Sequence, residues 1–160
     1  MARTITKDLP AYTTSQGSLF PSIAAGAFVG FFGWLLTIAI NHWVLVPVFC
    51  RSADTTGACS NAPLTAWIIA YVLVSIIGLF MLIQANVFRP LLVAAAALLT
   101  LWAVGLWFMT SAWWVGLLWE TALFALAYAL YTWLASARRF AYALIAIIVL
   151  VVLFRLLISL

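Results

Sequence analysis

Acidic residues are nearly missing from this chain. Asp8, Asp54 and Glu120 are all there are among 160 residues. Charged residues of both signs make up only 6% of the sequence, against roughly 25% in a soluble domain. Histidine occurs once, as His42, and cysteine twice. So few ligating side chains cannot build a metal site by themselves. The chain has no aspartate-rich loop, no Gly-rich phosphate cradle and no Ser/His/Asp set, so no catalytic residue is assigned and an enzyme is not expected. The seven basic residues are scattered. Without a basic stripe, the net charge of +4 is no nucleic-acid signal.

What is there in quantity is apolar. Hydrophobic residues make up 69% of the chain and the mean hydropathy is +1.26. A soluble chain of this size could not hide that much apolar surface in one core, so the solvent is lipid. A spanning helix needs about 20 residues, which leaves room for about four to six of them after residue 18. The expected fold is all-α: a polytopic bundle of about five transmembrane helices, with four spans plus an interfacial helix as the alternative.

The expected layout is a polar cytoplasmic arm at 1–18 and one membrane domain at 19–160. Arg3, Lys7, Asp8 and Pro10 mark the arm. A long polar stretch separates this charged start from the apolar run, and the run exceeds a signal h-region, so it reads as a retained span. Span one covers Pro21 to Trp43, with proline suited to a first helical turn. Pro47 is expected to stop the helix short of Cys50. Gly26 and Gly30 form a GxxxG, which lets another helix come close, within the bundle or from a second subunit. Span two covers Pro63 to Phe88, span three Leu91 to Met109, span four Trp113 to Ala135 and span five Phe140 to Leu160. Thr110-Ser111-Ala112 reads as a tight turn. Gly116 supplies a further small contact on span four.

Orientation follows from the basic residues. With the N-terminus inside, Arg3, Lys7, Arg89, Arg138 and Arg139 face the cytosol, and only Arg51 and Arg155 face out. Five spans then leave the C-terminus outside. The setting expected is a bacterial inner membrane, with the C-terminus periplasmic. Cys50 and Cys59 frame the outer loop at 50–62, and two cysteines on an oxidised face most simply form a disulfide.

Glu120 raises the sharpest question, because it sits inside a span. At 1.5 Å per residue from Trp113 it lies about 10 Å below the outer boundary. Asn41, His42 and Arg155 fall in the same outer part of the bilayer. An unpaired charge there is costly, so Glu120 is expected to face Arg155, His42 or both, unless Arg155 snorkels to the headgroups. Trp113, Gly116, Glu120, Phe124, Ala127 and Tyr131 share one helical side. Trp67, Tyr71, Ser75 and Gly78 share a mildly polar side of span two. The inner half offers only Gln84 and Asn86 near its surface, so a structural ion pair is expected ahead of a conduction route. A haem or quinone on His42 is the weaker alternative, since one histidine gives at most one axial imidazole. No cofactor is therefore expected.

Three functions fit these residues. The first is a non-catalytic integral subunit of a multi-subunit inner-membrane assembly for secretion, conjugation, transport or respiration, with the bilayer and other membrane subunits as partners. The second is a small oligomeric transporter or channel using Glu120. The third is a membrane redox or cofactor subunit using His42 or the cysteines.

Overall fold

A computed structural model of the chain describes residues 19–50, 59–87, 89–102, 104–136 and 140–159, without the side chains of 140–143, 155 and 157–159. The expected arm at 1–18 and the basic residues Arg3, Lys7, Arg51, Arg138 and Arg139 lie outside this set. Helix dominates the described residues, and there is no strand among them. Their order is α1 (Leu19–Ile40), a π-helical stretch (Asn41–Leu45), α2 (Val46–Phe49), α3 (Ala62–Gln84), α4 (Pro90–Thr100), a 3-10 stretch (Val104–Phe108), α5 (Trp113–Ala135) and α6 (Phe140–Ser159).

Three helices are long and apolar enough to cross a membrane: Leu19–Phe49, Ala62–Gln84 and Trp113–Ala135. Pro90–Thr100 and Leu144–Phe154 are shorter apolar stretches. The last spanning helix has the bounds expected from sequence. The first runs further. Pro47 lacks an N–H and its ring crowds the carbonyl four residues back. A π stretch absorbs that crowding without ending the helix, and the backbone stays helical to Phe49. The helix stops short of Cys50 as expected, but later than the expected span end at Trp43.

Span three differs more. Helix α4 ends at Thr100, turns at Leu101 and Trp102, and resumes as the 3-10 stretch Val104–Phe108. Eleven residues of α-helix reach only about 16 Å, roughly half of a 30 Å hydrocarbon core. A continuous α-helix from Leu91 to Met109 is therefore not formed. Bare backbone at such depth must be buried in protein. Val104 and Gly105 are indeed buried, and the stretch packs on α3 and α5.

The core is the triple contact of α1 with α3 and α5. Glycine makes it possible. A Cβ on Gly26 would stand 2.5 Å from the Phe124 carbonyl oxygen, and one on Gly30 2.5 Å from that of Glu120. Helix α1 therefore lies directly on the α5 backbone, and the GxxxG serves this packing inside the bundle. Gly116 returns the contact, since a Cβ there would overlap the Trp34 indole. That indole donates from Nε1 to the Trp113 carbonyl at 2.9 Å. Helix α6 packs against α4 and α5 at the side.

At the other end of α3, Asn86 takes a left-handed conformation with φ 52°. The amides of Asn86 and Val87 cap the carbonyls of Ile83 and Leu82 at 3.0 and 3.1 Å. At the head of α3, Cys50 and Cys59 are disulfide-bonded, with Cα atoms 5.2 Å apart. The bond ties the end of α2 to the turn that leads into α3.

Candidate functional site

Glu120 is fully buried, with 0% exposure. Three elements enclose it. Gly30 of α1 presses on its backbone. From α3, Tyr71 donates its hydroxyl to Glu120 Oε2 at 2.9 Å. From the break after α4, Gly105 presents its bare Cα: a Cβ there would stand 2.5 Å from Oε1 and 2.8 Å from Trp67 Nε1. Both of those atoms are buried and make no hydrogen bond.

The aromatic rings hold this arrangement still. Trp67 stacks on Tyr71 with centroids 4.5 Å apart, and Tyr71 stacks on Phe124 at 4.8 Å. Trp102 meets Trp67 edge-on at 5.6 Å. Helical spacing on α3 places Trp67 and Tyr71 one turn apart on the face toward α5. Gly33 then admits the Tyr71 ring against α1, where a Cβ would stand 2.5 Å from the ring. The phenol also reaches the Gly30 carbonyl at 3.4 Å, a second and weaker acceptor.

The expected pairing of Glu120 with His42 is thus corrected: among the described residues a tyrosine hydroxyl holds it. His42 is exposed and lies in a surface groove with Leu35, Ile38, Ala39, Trp43 and Trp113. Asn41 is half-buried, and its Oδ1 is buried without a partner. The side chain of Arg155 lies outside the described residues, and so does its expected role. Asn41, His42 and Glu120 do not form one cluster.

The half of the bundle away from the disulfide is more polar than the sequence reading allows. Beyond Glu120, the Tyr128 hydroxyl lies beside that of Ser75, although the two miss hydrogen-bond geometry. Further along, Tyr131 and Thr100 meet hydroxyl to hydroxyl, and Thr132 is buried one residue on. Tyrosine and threonine read as apolar filler in a hydropathy scan. Their spacing on α5, at Glu120, Tyr128, Tyr131 and Thr132, is the signal that could have found them. Among the described residues no group of three His, Cys, Asp or Glu side chains could hold a metal ion.

Comparison with protein families, curated proteins and solved structures finds no match for this chain. The class of protein is therefore defined by its own geometry: among the described residues, a helical protein with three helices long and apolar enough to cross a membrane, packed around a buried carboxyl.

Proposed function

We propose that this chain is a small oligomeric transporter or channel of a bacterial inner membrane, with Glu120 as its exchange group. The N-terminus faces the cytosol in this reading and the C-terminus the periplasm. The observation that carries it is the break after α4 lying against Glu120. Interrupted helices at membrane depth are where secondary transporters keep their binding sites, and an intramembrane ionisable residue is a functional group by default. Hydroxyls of Ser75, Tyr128, Tyr131, Thr100 and Thr132 continue beyond Glu120 into the half away from the disulfide. They weaken the sequence argument that polarity stops at one end.

The purified chain in liposomes tests this. Proton flux is followed with a pH-sensitive dye under a potassium diffusion potential. Flux above that of empty liposomes is expected, with its loss in Glu120→Gln. Equal flux in protein-loaded and empty vesicles would reject the reading.

A second reading is a non-catalytic subunit of a larger membrane assembly. It is favoured by an apolar groove of about 360 Å³ between α1 and α3, lined by Phe28, Phe32, Leu35, Leu36, Ala39, Val74 and Ile77. Stoichiometric membrane partners in a mild-detergent purification support it, and a homogeneous self-oligomer argues against it.

A further inference from the structure

We infer that Glu120, Tyr71, Trp67 and Gly105 form an intramembrane proton-binding site in which Oε1 of Glu120 is the atom that takes up and releases the proton. This deepens the transport reading and rests on it for its physiological use.

The ligand follows from the donors present. Tyr71 offers an O–H to Oε2, and Trp67 has an indole N–H, which only donates. A hard cation such as Ca²⁺ wants six to eight oxygens. Here there is one carboxyl, two donors and a glycine, which is the wrong set for a metal ion and the right set for a proton. Charge decides the resting form. The site is fully buried, and the hydrogen bond Glu120 makes is to a neutral phenol. An ionised carboxyl in apolar surroundings is expensive unless it is paired. The neutral acid is the form this place accepts most cheaply.

Geometry assigns the oxygen. Oε2 already accepts from Tyr71, as the carbonyl oxygen of a neutral acid does. Oε1 then carries the hydrogen. Its neighbour Trp67 Nε1 only donates, and the hydroxyl oxygen of a neutral acid is a weaker acceptor for it than a carboxylate oxygen. Both atoms are indeed without a hydrogen bond, although they crowd the same point at Gly105. When the proton leaves, Oε1 becomes an acceptor with an indole N–H beside it. A small swing of Trp67 would complete a second hydrogen bond to the carboxylate. Gly105 keeps that space open, because any side chain there would press on both atoms. The break after α4 is what brings a glycine backbone to this depth.

The test uses the full chain in detergent and needs no transport. Dicyclohexylcarbodiimide reacts with protonated carboxyls in apolar places. The acid proton moves to a carbodiimide nitrogen, the carboxyl oxygen adds to the central carbon, and the adduct rearranges to an N-acylurea. At neutral pH, mass spectrometry should find that adduct on Glu120. The infrared spectrum should carry a carboxylic C=O band that moves in D₂O and is absent in Glu120→Gln. Trp67→Phe keeps an aromatic ring and removes the N–H, so it should leave both the adduct and the C=O band in place. An unlabelled Glu120 together with no exchangeable C=O band would overturn the site, even if liposomes conduct. Labelling and a band without flux would keep the site and reject the transport reading.

Discussion

The phenol of Tyr71 makes two contacts at once, to Glu120 Oε2 at 2.9 Å and to the Gly30 carbonyl at 3.4 Å. It therefore ties α3 to α5 and to α1. Hydrogen bonds between membrane helices contribute about 0.6 kcal/mol on average and up to about 1.7. Tyr71→Phe should lower thermal stability in detergent by that order. In a Glu120→Met background the same change should cost less, because its acceptor has gone. Equal cost in both backgrounds would mean the two side chains do not interact. The two faces that meet here were readable from helical spacing: Tyr71 with Trp67 and Ser75 on one helix, Glu120 with Gly116 and Phe124 on the other. The pairing was not. A search for a partner of opposite charge leads to His42 and Arg155. Tyrosine carries its donor on an apolar ring and gives no charge signal.

Glycine governs how the elements approach one another. At Gly30 the neighbour is main chain, so nothing there can rotate out of the way. Gly30→Ala should force α1 off α5 and lower stability by roughly 1–3 kcal/mol, the usual cost of overpacking. Ala24 is exposed on the same helix, and Ala24→Leu should stay near wild type in the same melting assay. Similar losses at both positions would argue that α1 does not pack this way. Among the elements, those with clear punctuation were legible. Trp113 to Ala135 is bounded by a polar turn and by Ser136. Proline opens α3 and α4 inside their first turn. The break after Thr100 was not legible, because it falls within Leu98-Leu99-Thr100-Leu101-Trp102, where hydropathy hardly changes. Gly105 is its one local mark. The first span was closed at Trp43, whereas the helix runs on through the π stretch to Phe49.

In the whole molecule one covalent link joins the ends of two helices long and apolar enough to cross a membrane. The Cys50–Cys59 bond closes a short loop, and closing a loop of about 15 residues contributes roughly 3 kcal/mol. The variant with both cysteines changed to alanine should melt lower by about 2–3 kcal/mol, and reductant should do the same to wild type. No change on reduction would place the stabilisation elsewhere. The bond is also a marker of height. The first helix runs 31 residues, from Leu19 to Phe49, about 46 Å at 1.5 Å per residue. The hydrocarbon layer is only about 30 Å thick. Modest tilt takes up part of the difference; the remainder stands clear of the acyl chains. Which end carries that remainder decides whether the disulfide is wet: a membrane-impermeant phosphine should reduce it in intact vesicles only if the Cys50 end is the one that protrudes.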